Sequence, residues 1–301
     1  VGDFILGCEK LVMNNYLINR VVSFGLLGIT SSFTTIPIIP LQAQNIAPAN
    51  TNTTNTVVNL TGNQFDISGG ALSGDSLNLF HDFQRFGLDA AQIANFLATP
   101  NIQNILGRVS GGEVSLINGL IQVTGGTPNL YLMNPTGIVF GSNASLNVPA
   151  SFSATTSSAI AFTGGIFNAV GANNFTTLSG SPTSFVFSLA NPSGVINAAD
   201  LAVTAGNNLN IVGGTVINTG TLDATNTGNV SIVAVPNSSL VRITPTGSLL
   251  SIEVDASQLA NGITTLTLPQ ILNAATTATI NTGVTDNLGQ VTVTASGTNV
   301  T

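Results

Sequence analysis

His81 is the only histidine in the chain, and imidazole is the side chain best suited to moving a proton near neutral pH. It stands in Phe80-His81-Asp82-Phe83, where the adjacent carboxylate invites a catalytic triad or a metal site. A triad needs a marked nucleophile, and a metal needs more soft ligands than one imidazole; neither is visible nearby. The residues read as a hydrogen-bonded packing histidine. The acids Asp66, Asp75, Asp82, Asp89, Glu113, Asp200, Asp223, Glu253, Asp255 and Asp286 are spread thinly. Only Glu253 and Asp255 lie close, at i and i+2, on one side of a strand. That spacing could serve acid–base chemistry or calcium, but a solvated strand face explains it without either. Gly69-Gly70, Gly111-Gly112, Gly125-Gly126, Gly164-Gly165 and Gly213-Gly214 have no lysine nearby and open no helix, so they read as turns, not phosphate loops. No catalytic residue, metal or cofactor is expected.

Two short segments remain as candidate sites. Asn134-Pro135-Thr136-Gly137 suits a tight turn. Asn at the first position can accept a bond from the backbone N–H two residues on, Pro presets φ, and Gly closes the turn. Asn191-Pro192-Ser193-Gly194 reads as a second turn of the same kind. A turn needs no function, but exposed turns on a rigid scaffold are where recognition is placed.

The elements that must carry these turns follow from composition. Charged residues make up 6% of the 301 and hydrophobic ones 43%, with Asn, Thr, Ser and Gly supplying most of the rest. Short β-branched runs between Gly and Asn point to an all-β chain of short strands. The net charge of −7 falls entirely on residues 45–301, whose only cations are Arg85, Arg108 and Arg242. So few cations argue against nucleic acid and against an anionic membrane surface as partners. Cys8 is the only cysteine, so no intrachain disulfide can form.

Residues 1–44 read as an upstream extension and an export signal. Asn14–Arg20 is polar with one cation, Val21–Ile29 (VVSFGLLGI) is apolar, and a hydroxyl-rich stretch with Pro37 and Pro40 follows. The apolar run is too short to span a bilayer. Met13 suits a start, and cleavage is expected after Ala43 or Ala49.

The strongest organisational feature is a repeat of 21 residues. Val195-Ile196-Asn197 recurs as Val216-Ile217-Asn218, Leu201 as Leu222, and Asn208–Val212 as Asn229–Val233. One such unit cannot bury its inner face alone, but stacked units can, with strands ~4.8 Å apart. The repeat predicts a parallel β-helix with Leu201, Val203, Leu209, Ile211, Leu222, Val230 and Ile232 pointing inward. Gln290–Thr294 resembles a further coil, and an open solenoid end implies a longer natural protein. Asp89–Leu97 is the one stretch with helical spacing, through Ile93, Phe96 and Leu97.

Four ordered blocks carry a family resemblance: Asn78–Phe83 (NLFHDF), Ile102–Val109 (IQNILGRV), Leu130–Gly141 (LYLMNPTGIVFG), and Ala144–Val148 with Ser151–Thr156. The segment Gln64–Ile160 closely resembles the filamentous-haemagglutinin N-terminal domain of two-partner secretion (TPS) proteins, especially the cyanobacterial branch. The departure is Thr136, where the family has a second Asn. The resemblance implies a right-handed parallel β-helix with N-terminal capping strands. It divides the mature chain into a secretion domain over 45–190 and continuing coils over 191–301. It implies export by a Sec signal through the periplasm to the cell surface or medium. The implied partner is an outer-membrane transporter bearing POTRA domains, which recognises the N-terminal part. Host-cell, cell-surface or glycan ligands would be bound by a missing C-terminal part. The rival readings are a β-helical carbohydrate-active enzyme, which would need clustered acids and cations, and a structural surface-layer or matrix protein.

Overall fold

The computed structural model describes residues 46–243, except 52, 226 and 236. It also describes, as backbone, Lys10–Met13, Tyr16–Asn19, Ser251–Glu253 and Gln290–Ala295. Val21–Ile29, the Glu253 side chain and Asp255 lie outside the described residues. The chain divides into two compact units, Val1–Gln42 and Ala43–Thr301. In the first, Lys10–Met13 pairs antiparallel with Tyr16–Asn19.

The second unit is a parallel β-helix, as the stacked parallel pairings of its walls show. Its long wall stacks Asn78–Arg85, Asn104–Val109, Asn129–Met133, Phe152–Thr155, Leu209–Gly213, Asn229–Ala234 and Gln290–Ala295, all parallel. A second wall stacks Gln64–Ser68, Ile93–Leu97, Leu120–Thr124 and Ser145–Asn147. A third stacks Ser115–Ile117, Ile138–Phe140, Val195–Asn197 and Val216–Asn218. The helical spacing over Asp89–Leu97 is not realised: Ile93–Leu97 is a strand of the second wall. Ala94 and Phe96 turn inward there and Leu97 is 40% exposed. Parallel partners on both sides supply the backbone bonds that a helix would otherwise have to make for itself.

The 21-residue repeat is the coil spacing. Val195 lies opposite Val216, Leu201 opposite Leu222, and Leu209 opposite Val230. Six of the seven expected inward residues are buried in one core, and Ile232 packs against it partly buried. The stack begins with antiparallel capping strands. Ala47–Pro48 and Ala71–Leu72 flank Asn78–Arg85, and Val57–Thr61 flanks Gln64–Ser68.

Two coils are interrupted. Asn78 to Asn104 and Asn104 to Asn129 are steps of 26 and 25 residues, but Ser153 to Asn210 is a step of 57. The excess forms an antiparallel sheet outside the solenoid from Ala159–Phe162, Gly165–Asn168 and Ser184–Phe187. The second interruption lies between Asn229–Ala234 and Gln290–Ala295, and it adds Ser239–Arg242 and Ser251–Glu253 to the same sheet. This outer sheet covers a second core. Phe80, Leu106, Tyr131, Met133, Val212 and Val233 face out from the long wall to meet Ile160, Phe162, Phe167, Phe185 and Val241.

Candidate functional site

The two segments predicted as turns meet only at their last residues, at the corner leading into the third wall, with Asn134–Gly137 in the lower coil. Ile138 pairs with Val195 and its N–H donates to Gly194 O, while the Asn134 N–H donates to Thr155 O at 2.9 Å. In the lower turn the Gly137 N–H donates to Asn134 O at 3.1 Å, closing a β-turn. The Thr136 N–H donates to Asn134 Oδ1 at 2.9 Å, the side-chain bond expected of Asn at this place. Asn134 Nδ2 donates down to Glu113 O at 2.9 Å and to Ser115 Oγ at 3.0 Å, so this fully buried side chain ties two coils together. Gly137 sits at φ +129°, a backbone that favours glycine.

Asn191–Gly194, expected as a second turn of this kind, is not one. Asn191 is an exposed bend, residues 192–194 are irregular, and the segment is fastened by its own coil and by the coils on either side. Thr156 Oγ1 and the Gly214 N–H donate to Ser193 O at 2.6 and 2.8 Å, and the Ile138 N–H donates to Gly194 O at 3.2 Å. Gly214 must be glycine here, since a Cβ would fall 1.9 Å from Pro192 O.

The blocks that carry the resemblance are consecutive rungs. Asn78–Phe83 lies on Asn104–Val109, that on Leu130–Met133, and that on Phe152–Thr155. Their asparagines form a ladder. Asn104 Nδ2 donates to Asn78 Oδ1 at 2.8 Å and Asn129 Nδ2 to Asn104 Oδ1 at 3.0 Å. Asn129 Oδ1 accepts from the Ser151 N–H at 3.2 Å, and the Asn208 N–H donates to Ser151 Oγ at 3.0 Å. Each rung satisfies polar groups at a buried corner that would otherwise oppose stacking.

His81 points into the solenoid and is fully buried against Phe83 and Phe96. Its Nδ1 lies 3.3 Å from Thr56 Oγ1. Its neighbour Gly70 has φ +94°, and a Cβ there would fall 3.0 Å from the ring. Burial depresses its pKa to about 3, so the ring is neutral at neutral pH. This is the packing histidine that the sequence suggests.

Asp82 and Arg108 lie in separate motifs of the sequence, and the structure joins them. Arg108 Nη2 meets Asp82 Oδ2 at 2.5 Å with both side chains buried. Ser110 Oγ donates to Asp82 Oδ1 at 2.7 Å. Arg108 Nη1 donates to Asn168 O and Gly171 O at 2.7 and 2.8 Å, and the guanidinium lies 5.7 Å from the Phe167 ring centroid. The signal was present: Asp82 and Arg108 are 26 residues apart, the same step as Asn78 to Asn104. A cleft of about 540 Å³ opens beside the pair, lined by Ala49, Thr51 and Thr53 on one side and Val170 and Asn173 on the other. Glycoside hydrolysis uses two carboxylates across a gap wide enough for a sugar. Asp82 is the one acid in this cleft, and both its oxygens are engaged. Among the described residues no group of three metal-binding side chains occurs, and no helix is long and apolar enough to cross a membrane.

The family described as the TPS secretion domain matches residues 44–293. Among solved structures the chain is similar to the HMW1 secretion domain from Haemophilus influenzae, at 18% identity and a TM-score of 0.45. That match covers 72% of this chain and 50% of the other, so the chain spans about half the length of that structure. No curated protein matches the sequence.

Proposed function

The chain belongs to the TPS secretion domain family, and from that premise we propose that residues 45–190 are the address by which a partner outer-membrane transporter exports it. The family is one of secretion domains of two-partner secreted exoproteins, not of enzymes. The observation that carries the proposal is that the four family blocks form consecutive rungs at the start of the solenoid. A partner reading them in order meets the residues that build the first coils.

Recognition by this route takes place before folding. In the folded domain the Asn134 side chain is fully buried and bonded to its own chain, so a partner reaches it only in the extended chain. An unfolded segment rich in β-formers and poor in charge offers unpaired N–H and C=O groups. A POTRA strand edge satisfies these by strand addition with few demands on side chains. Asn134–Gly137 serves as a turn that sets a corner once the chain emerges, and Asn191–Gly194 leads the next coil into the same wall. Each added coil then buries apolar surface at ~25 cal/mol per Å², which opposes return without a nucleotide. On this reading a Sec signal within residues 1–44 delivers the chain to the periplasm. The domain stands as the N-terminal, fold-nucleating part of a larger adhesin- or haemagglutinin-like exoprotein, whose ligands are bound elsewhere.

The test is expression with the cognate transporter and measurement of secreted against periplasmic protein. Deleting Gln64–Ile160 while keeping residues 1–63 should leave the remainder in the periplasm. Undiminished secretion of that deletion would overturn the proposal.

A further inference from the structure

Open strand edges decide what an all-β protein pairs with, because each presents unmatched N–H and C=O groups. Three edges of this molecule are treated differently. The long wall begins with Ala47–Pro48 and Ala71–Leu72, two residues each, and Pro48 has no N–H to offer. The outer sheet ends at Gly165–Asn168, where side chains cover the backbone. The Asn168 C=O accepts from Arg108 Nη1, and its N–H donates to Asn173 Oδ1 at 2.7 Å. The second wall begins at Val57–Thr61, which has five residues and no charge, proline or bulge. Among the described residues, its only backbone partners are in its own hairpin.

The hairpin fixes which groups are open. Gly62-Asn63 is a two-residue loop, so Thr61 and Gln64 form its hydrogen-bonded closing pair. Alternation makes Asn59 with Asp66, and Val57 with Ser68, the next bonded pairs. The N–H and C=O of Val58 and Leu60 therefore point to the open side. Val58 and Leu60 lie opposite Ile67 and Phe65, so their side chains share the face that lines the solenoid interior. Leu60 is nonetheless 57% exposed, an interior position with no coil beneath it.

We infer that a second copy of this chain pairs with this edge, strand Val57–Thr61 against strand Val57–Thr61, antiparallel about a two-fold axis at Asn59. The strand's own sequence, Val-Val-Asn-Leu-Thr, selects a copy of itself. The axis sets Val58 opposite Leu60 of the second copy and Leu60 opposite its Val58. The open groups of these four residues match in N–H···O=C pairs, and both Leu60 side chains gain an apolar neighbour on the interior face. Asn59 meets Asn59 at the axis, so no like charges oppose one another on the strand. The contact is isologous and closes on itself. It is small, well under the ~800 Å² per partner of a stable complex, so the two copies exchange between monomer and dimer.

Sedimentation equilibrium of the purified 301-residue chain tests this. A monomer–dimer equilibrium is expected. Asn59→Lys should weaken it about fivefold by setting two ammonium groups at the axis, while facing Asp66 within its own hairpin and leaving the unfolding midpoint in place. A second test needs no loss of binding. In a Cys8→Ser background, Asn59→Cys should cross-link on mild oxidation, because a non-hydrogen-bonded pair brings Cα atoms to about 4.5 Å. The exposed Asn147→Cys, on the far strand of the second wall, should not cross-link. A chain that stays monomeric at millimolar concentration overturns the inference. So does a dimer indifferent to Asn59→Lys in which the Asn59→Cys variant fails to cross-link, or an edge that pairs only with an added transporter fragment.

Discussion

The two cores of the molecule share the strands of the long wall but are assembled on opposite terms. The inner core lines the solenoid, and its members meet across steps such as Leu201 to Leu222 or Leu209 to Val230. Each coil can bury its share as soon as the next coil lies on it. The outer core uses the other face of the long wall, and its members come from distant segments. Phe80 packs on Phe162 and Phe167, and the covering sheet is extended by Ser239–Arg242. Loop closure across such separations costs more entropy and comes later in folding. A chain emerging from a pore in order would complete its inner core rung by rung, with the outer face of its first coils uncovered until residues 159–187 arrive. The inner core therefore propagates the fold and the outer sheet locks it.

The largest effect should come from undoing that lock. Arg108 binds Asp82 of the first coil and two carbonyls of the outer segment. Arg108→Met strands a buried carboxylate, and about 3–5 kcal/mol should be lost from the urea unfolding free energy. Limited proteolysis should then cut within residues 165–175 before any interior strand. Converting Asp82 to Asn in the same chain should restore part of the loss. A cost under about 1 kcal/mol would mean that the pair does not fasten the outer sheet.

An inner variant sharpens the contrast. Leu222→Ala empties a fully repeated interior position and should cost about 3 kcal/mol. Its hydrogen-exchange signature should be loss of protection along Leu201–Ala202 and Leu209–Gly213, with Ala159–Phe162 affected less. Equal loss in both sheets would show that the two cores unfold as one unit.

The same contrast explains what was legible in the sequence. The inner core repeats, so Leu201, Leu209, Leu222 and Val230 announce their shared direction by recurring at fixed spacing. The outer core does not repeat. Val212 and Val233 fall in the same repeat as the interior residues but face the other way, and nothing in an isolated apolar run says that both faces of a strand are covered. The Asn134 turn was readable because its chemistry is local, from Asn134 Oδ1 to the Thr136 N–H. Its bonds to Glu113 and Ser115 were not, since they depend on which coil lies beneath. Asn191–Gly194 resembles the first turn in lettering, yet it forms no such turn, because Ser193 O is taken by Thr156 across the outer insertion and by the Gly214 N–H of the next coil.

Asn134→Ala probes the junction between local turn and stacked coil. It removes three side-chain bonds at a buried site and should cost about 1–3 kcal/mol in the folded domain. With the cognate transporter, secretion should fall by more than that stability loss explains. Asn134→Asp keeps the acceptor for the Thr136 N–H but removes the donor to Glu113, so it should restore the turn without the tie between coils. If secretion follows stability alone across both variants, Asn134 acts only as a fold residue.

The most selective effect, absent at neutral pH, should come from acid. His81 is held neutral inside the first coil, its pKa lowered to about 3 by burial against an unfolded value near 6.5. Above pH 6.5 both states carry a neutral ring, so pH leaves its contribution unchanged. Below pH 6.5 the unfolded chain takes up a proton that the folded chain refuses, and stability falls as pH falls. The slope should approach about 1.4 kcal/mol per pH unit until the ring titrates in the folded state as well. Carboxylates begin to contribute near pH 4, so the window from pH 6.5 to 4.5 isolates the histidine. His81→Leu should flatten the urea midpoint across that window, because Thr56 keeps its bonds to Thr54 and the Asp82 N–H. His81 packs with Phe83 and Phe96 of the inner core, so the loss should appear first in protection of Gln64–Ser68 and Asn78–Arg85. If His81→Leu retains the full slope, the acid sensitivity lies elsewhere. If protection is lost first in Ala159–Phe162, the outer sheet is the weaker member at low pH, and the division of labour between the two cores is reversed.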